Sequence, residues 1–101
     1  LLTMYAVLLN AINTFGDDIE IAPKKANVSL RTKKQFVLIQ PTTKTRIDLG
    51  LKLRDHPVSG RLEASGPFGT MCTHRIQLTD VSQIDDEVIG YMHAAYEESK
   101  A

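Results

Sequence analysis

The chain has little of what membrane proteins and disulfide-bonded secreted proteins need. Its single cysteine, Cys72, excludes a disulfide within the chain and is compatible with a reducing compartment. No apolar run reaches the roughly 20 residues that a membrane-spanning helix needs. The apolar opening LLTMYAVLLNAI lacks the basic start and the small-residue cleavage site of a signal peptide. These absences predict a cytoplasmic protein with no membrane partner.

Neither sign of charge is in excess, because 12 Lys and Arg balance 12 Asp and Glu across 101 residues. Zero net charge disfavours a protein that binds nucleic acid mainly through electrostatic attraction. The distribution is nevertheless uneven. Eight of the cations lie between Lys24 and Leu53, where Asp48 is the only acid, and the acids concentrate towards the two ends. Such an asymmetry predicts a local positive patch.

Hydrophobic periodicity predicts a helix, four strands and a second helix. Residues 1–15 carry apolar side chains at every third or fourth position, and Gly16 follows as a helix-ending residue. Apolar and polar residues alternate in 26–31, 45–53 and 73–79, whereas 35–40 is apolar on both faces, as in a central strand. The connector 17–23 has Ile19 and Ile21 to anchor it, as in a short strand. Asp85 is the predicted N-cap of the last helix.

These elements predict one α+β domain over residues 1–101, with a four-stranded antiparallel meander sheet and both helices on one face of the sheet. The other face would be open and polar. The chain starts with Leu1 and is already in helical pattern there. We therefore expect sequence upstream of it and a place at the C terminus of a longer protein.

The open face and the irregular segment 54–71 form the predicted ligand surface. Its seven residues are Arg31, Arg46, Asp48, Lys52 and Arg75 on the sheet, with His56 and Arg61 in the loop. Long loops without secondary structure are uncommon in compact domains and are often functional. The alternative is a solvated polar face, on which Asp48 forms a weak cross-strand ion pair and the loop is a surface excursion.

Catalytic and metal chemistry find little support in the residue spacing. Cys72 and His74 lie two apart, so alternation places both on one face, and a Cys/His nucleophile pair is conceivable there. The same face carries Ile76 and Leu78, which favours a half-buried thiol and a hydrogen-bonded core histidine. His56, Cys72, His74 and His93 lack metal-ligand spacing, and no glycine-rich phosphate loop is present. We predict no catalytic residue, no metal and no cofactor.

Several runs together resemble a bacterial domain of unknown function, number 5655 of that series. They are APKKANVSLRTKKQFVLIQP, TRIDLGLKL, GRLEASG and MCTHRIQL, followed by a terminal helix that contains AAYE. The resemblance covers nearly the whole chain and implies the helix, four strands and helix described above. It also implies a second small domain upstream, and an association with nuclease-like or restriction-associated modules. It implies no catalytic residue.

The sequence thus predicts a non-enzymatic accessory or ligand-binding module of a bacterial cytoplasmic protein, with an unknown ligand. A second hypothesis is a nucleic-acid-binding module that uses the basic open face. Stacking platforms are missing for that role, because Tyr5, Tyr91 and Tyr96 all lie on the predicted helices. A third hypothesis is a small enzyme that uses Cys72 or His74, and a fourth is a self-association module that forms a homodimer.

Overall fold

The computed structural model describes all residues from 1 to 101. The two helices are α1 (Leu2–Asn13) and α2 (Asp86–Ser99). The six strands are β1 (Glu20–Pro23), β2 (Val28–Arg31), β3 (Gln35–Pro41), β4 (Ile47–Leu51), β5 (Glu63–Ala64) and β6 (His74–Leu78). They form one antiparallel sheet in the order β1-β2-β3-β4-β6-β5. Neither helix has the length and apolar character that crossing a membrane requires.

The α+β class with a helix at each end is confirmed, but the prediction of four strands is wrong. The connector after α1 contributes β1, which pairs with β2 from Glu20 to Pro23. The segment between β4 and β6 contributes β5, whose two residues pair with Arg75 and His74 at the outer edge. The first four strands form a meander, whereas β5 precedes β6 in the chain and lies beyond it in the sheet. Strand β5, with two residues, is too short to show a period of two, whereas β1 lies in the connector that the sequence likened to a short strand.

Both helices pack on the same face of the sheet, which we call the inner face. Met4, Leu8 and Ile12 of α1 join Val88, Met92 and Tyr96 of α2 in one buried cluster with inward strand residues such as Leu30, Ile39, Leu49 and Ile76. A fully buried side chain of this size contributes about 1.5–3 kcal/mol. Burial of these two helical stripes against the sheet is therefore the main driving force of the fold.

The beginning of α2 is the one that the sequence predicts. Asp85 is the N-cap, and its carboxylate accepts a hydrogen bond from the Val88 N–H at 3.2 Å. Asp86 and Glu87 lie in the first turn, where the helix dipole favours negative charge. The cap fixes where α2 begins and therefore where its last turn meets the sheet.

A register shift between β2 and β3 turns Phe36 towards the helices. Leu30 pairs with Val37 and Arg31 pairs with Gln35, so Phe36 has no partner on β2, as in a β-bulge. The Phe36 ring meets the Tyr96 ring edge-on, with 5.6 Å between the ring centroids. Gln35 then lies near Cys72, with 3.9 Å between its Nε2 and the Cys72 Sγ. This bulge shapes the end of the sheet where a cleft lies.

The other face of the sheet, which we call the outer face, is partly covered and not open as predicted. Residues Gly66–Met71 form a short 3₁₀ segment within the predicted loop. Phe68 from this segment packs against Leu38 and Cys72 in a small second core. The absence of a side chain at Gly50 makes room for them, because a Cβ there would lie 2.6 Å from the Cys72 Sγ and 3.0 Å from the Phe68 Cδ2.

Replacement of Gly50 by alanine is expected to lower the free energy of unfolding by about 1–3 kcal/mol, because the new methyl group overpacks the contact with Cys72 and Phe68. Urea unfolding followed by circular dichroism measures the change. Gly90→Ala is the matched control, since a Cβ at Gly90 on α2 has no heavy atom within 4 Å. This control is expected to gain about 0.5–1 kcal/mol. Equal stabilities of Gly50→Ala and the parent protein would contradict the close packing.

Candidate functional site

Arg46 and Asp48 pair within the β3–β4 hairpin. The Asp48 side chain is completely buried, and its Oδ2 accepts a hydrogen bond of 2.6 Å from the Thr42 Oγ1. Arg46 Nε lies 3.4 Å from the Asp48 Oδ1, an ion pair without the geometry of a hydrogen bond. Because water does not reach this carboxylate, the pair belongs to the structure of the hairpin. Asp48 does not lie on an accessible surface as predicted.

Arg75 is neutralised at the edge of the outer face. Its Nη2 lies 3.2 Å from the Glu63 Oε1, and the same oxygen accepts a hydrogen bond of 2.9 Å from the Gln77 Nε2. The backbone of Gly66 covers the guanidinium, because a Cβ at that position would lie 2.8 Å from the Arg75 Cζ. Strand β5 and the start of the 3₁₀ segment thus contact and cover the Arg75 side chain, which was predicted to face a ligand.

Arg61 lies away from the outer face and ties the loop to the beginning of α2. Its Nη1 lies 2.8 Å from the Asp85 Oδ2 and 3.2 Å from the Glu87 Oε1, and its Nη2 donates to the Gln83 carbonyl. The hydrogen bond with Asp85 raises the pKa of Arg61 and lowers the pKa of the Asp85 carboxyl. Asp85 and Glu87 are therefore the counterions of Arg61.

The side chains of Arg31 and His56 each contact only a carbonyl two residues away in the chain. Arg31, at the exposed end of β2, donates a hydrogen bond of 3.3 Å to the carbonyl of Lys33 in its own hairpin. His56 lies after β4, with 2.9 Å between its Nδ1 and the Arg54 carbonyl oxygen. The structure therefore does not bring the seven predicted residues together in one surface.

Lys52 lines a cleft of about 250 Å³ at one end of the sheet, which we call the basic cleft. Its walls are the start of β3, the residues after β4, residues 70–73 and the last turn of α2. Phe36, Leu53 and Ala95 supply its apolar floor. A second depression, between Asp18, Thr32, Lys33 and Lys100, has no hydrophobic residue in its lining, and small-molecule sites ordinarily have several. The basic cleft is therefore the candidate site.

The lining of the basic cleft is positively charged. Lys34, Lys52 and Arg54 contribute three cations, and no carboxylate lies within 4.0 Å of any of their charged groups. Glu98 is the one acid of the lining, and its Oε1 accepts a hydrogen bond of 2.6 Å from the Arg54 backbone N–H. The positive charge of the cleft therefore exceeds the negative charge, which favours an anion.

Two of these cations, Lys34 and Arg54, are not among the seven residues that the sequence predicts for the ligand surface. Lys34 lies just before β3, and Arg54 lies after β4. Antiparallel pairing of Val37 with Leu51 places the start of β3 beside the end of β4, and so brings the flanking basic residues together. The sequence signal for this cluster is a set of basic residues that flank the neighbouring ends of two paired strands. Within the sheet, the prediction considered only the charges on the faces of the strands.

Cys72 and His74 form no pair, contrary to the expectation that they share a face. Cys72 faces Gly50 on the outer side and also lines the basic cleft. His74 pairs with Leu51 of the inner core, and its ring nitrogens lie 2.7 Å from the Thr73 Oγ1 and 3.0 Å from the His56 carbonyl oxygen. Burial raises the pKa of the Cys72 thiol to about 11, which keeps it a poor nucleophile.

Metal chemistry has no centre in this structure. Nowhere in residues 1–101 do three His, Cys, Asp or Glu side chains converge as ligands of one ion would. The arrangement at the basic cleft is suited to holding an anion by charge and hydrogen bonds.

Comparison with known proteins identifies the family and nothing closer. The family described as Domain of unknown function (DUF5655) matches residues 1–99 of the chain. No curated protein and no solved structure matches it.

Native Cys72 is expected to react with a thiol reagent at pH 8 at least about a hundredfold more slowly than the urea-unfolded chain, because a pKa of about 11 leaves little thiolate.

The unfolded thiol ionises near its ordinary pKa of about 8.5. Stability is therefore expected to fall as pH rises from there to about 11, since only the folded thiol keeps its proton.

His74→Gln serves as the discriminating variant in the same labelling assay. Because the imidazole does not contact the thiol, the native labelling rate should stay within about twofold of the parent rate at pH 8. Fast native labelling that depends on His74 would contradict this arrangement and would favour a Cys/His nucleophile.

Proposed function

Because the chain belongs to the family described as Domain of unknown function (DUF5655), and a fold does not by itself assign a function, we propose a function from the site. The proposed function is that of a non-enzymatic accessory module that binds a small anionic ligand in the basic cleft. The observation that carries the proposal is the gathering of Lys34, Lys52 and Arg54 around one concave surface, with no carboxylate within 4.0 Å of their charged groups. Unpaired cations in a partly enclosed site attract and hold an anion more strongly than cations on a flat surface do.

The chemistry of the remaining lining supports binding rather than catalysis. The neutral Cys72 thiol is the only nucleophilic sulfur, and no histidine lines the cleft to activate it or a bound water. The hydroxyl of Thr70 makes no hydrogen bond within the protein and can donate to a ligand. An anion placed there meets charges and donors and no acid–base pair.

The setting that we propose is the C-terminal part of a longer bacterial cytoplasmic protein. The family resemblance supports this setting, because it implies a second small domain upstream of this one. In such an arrangement the cleft would sense or recruit a ligand for the rest of the protein, and the module would need no chemistry of its own.

Nucleic acid is the less favoured ligand. Two of the cations that were predicted to form a basic outer face, Arg46 and Arg75, are paired with Asp48 and Glu63. The lining aromatic residue, Phe36, is completely buried and cannot stack on a base. The charge and shape that remain are those of a small concave site.

Substitution of Lys52 or Arg54 by alanine is expected to weaken the binding of a small anion about tenfold each, because a hydrogen bond to a charged group contributes about 1.5 kcal/mol. Titration of ¹⁵N-labelled protein with inorganic phosphate and with succinate, at constant ionic strength, measures it. The amides of Gln35, Lys52 and Thr73 at the cleft should shift.

Lys44→Ala is the control, since Lys44 lies exposed in the turn at the opposite end of β3. It should bind as the parent protein does. Shifts scattered over all surface lysines, or equal affinity in the Lys52→Ala protein, would count against the proposed site.

A further inference from the structure

We propose that the ligand of the basic cleft is a small organic phosphate monoester, whose phosphate group lies between Lys34, Lys52 and Arg54. This inference rests on the proposed function and adds the chemical class of the ligand. It comes from the balance of charge in the cleft, the donors that remain without partners, and the size of the cavity.

The charge of the lining matches a dianion. Three cations face one carboxylate, so the excess of positive charge is two. A phosphate monoester carries a charge of about −1.5 to −2 at pH 7 and has three acceptor oxygens. A monocarboxylate would leave at least one cation without a counterion. The cleft therefore favours the phosphate group over a single carboxylate.

The backbone that carries the three cations lies directly beside the ends of β3 and β4 and is anchored there by hydrogen bonds. The Lys52 backbone N–H donates a hydrogen bond of 3.2 Å to the Phe36 carbonyl, which fixes Lys52 beside the start of β3. Lys34 stands two residues before Phe36, and Arg54 is held by its backbone hydrogen bond to Glu98 on α2. The positions of the backbones that carry the charges are thus set by the fold, which lowers the entropic cost of binding.

The rest of the lining suits an organic group with a polar substituent. Gln35 approaches only the Cys72 sulfur, at 3.9 Å and a weak acceptor, so its amide can donate to a ligand oxygen. Glu98 uses Oε1 for Arg54, and its second oxygen can accept from a ligand hydroxyl. The volume of about 250 Å³ lies just below the 300–1,000 Å³ range of drug-sized sites and indicates a small molecule.

Isothermal titration of the full chain with propyl phosphate, butyrate, succinate and a single-stranded thymidine oligonucleotide tests the inference. We expect propyl phosphate to bind at least about tenfold more tightly than butyrate. The carboxylate of butyrate has one oxygen fewer and a smaller negative charge, so it forms fewer and weaker charge-assisted hydrogen bonds with the three cations. Alanine at Lys34, Lys52 and Arg54 together should abolish the binding, whereas Lys44→Ala should not change it.

The pH dependence separates phosphate recognition from general attraction of anions. Phosphate affinity should rise severalfold between pH 5.5 and 7.5, because the second proton of the monoester dissociates near pH 6. The titratable groups of the lining are Lys34, Lys52, Arg54, Glu98 and Cys72, with no histidine among them. His56 contacts the Arg54 carbonyl outside the lining, so the titration is repeated in His56→Gln. Butyrate affinity should stay constant over this range.

Each outcome decides between the two proposals. The phosphate assignment would be overturned if succinate bound as tightly as propyl phosphate and the affinity for propyl phosphate did not rise between pH 5.5 and 7.5. The cleft would then remain a site for anions in general. Tighter binding of the oligonucleotide through the same three cations would overturn the small-molecule assignment. No binding of any small anion would overturn the proposed function together with the inference.

Discussion

The contact of Phe68 and Cys72 with the bare backbone of Gly50 is the constraint on which the functional architecture depends. It holds residues 66–73 against the outer face of β3 and β4, so the sheet is covered on both sides at this end. The same contact places Thr70, Cys72 and Thr73 as one wall of the basic cleft. A residue with a side chain in place of Gly50 would push this wall away from the sheet, and the cleft would lose its shape.

The zero net charge conceals two populations of cations. One population is paired: Arg46 with Asp48, Arg61 with Asp85, and Arg75 with Glu63. These pairs tie hairpin, loop and helix together, although exposed pairs contribute only about 0–1 kcal/mol each. The other population includes Lys34, Lys52 and Arg54, which line the cleft without an ion-pair partner. The protein presents a positive surface where its cations lack an acidic side chain as ion-pair partner, and the number of cations alone does not determine that place.

The location of the chemistry-bearing side chains is the reason for proposing binding and not catalysis. Cys72 and His74 face opposite sides of the sheet, and the histidine spends both ring nitrogens on Thr73 and His56. The buried thiol remains neutral at physiological pH. The groups with unused bonding capacity are cations, an amide and a hydroxyl around a small cleft. Such groups are the ones that the proposed binding of an anion uses.

The local elements followed from the sequence alone, because their periods are long enough to read. The stripe of α1, the alternation of β4 and β6, and the Asp85 cap of α2 each depend on residues within one element. Strand β5 could not be predicted in the same way, since two residues show no repeat, and β1 was indicated only as a short strand within the connector 17–23. Their existence depends on neighbours that pairing supplies.

The composition of the site was decided by the tertiary structure. Alternation places Arg46, Asp48 and Arg75 on one face of the sheet. It does not reveal that Thr42 donates a hydrogen bond to Asp48, or that Glu63 and Gly66 contact Arg75. Of the seven predicted residues only Lys52 reaches the cleft, because the others find partners within their own segments or far along the chain. The sequence by itself determined which residues form strands and helices, through periods that neighbouring residues share. Only the tertiary structure decided which charges remain unpaired, because that depends on distances between segments far apart in the chain.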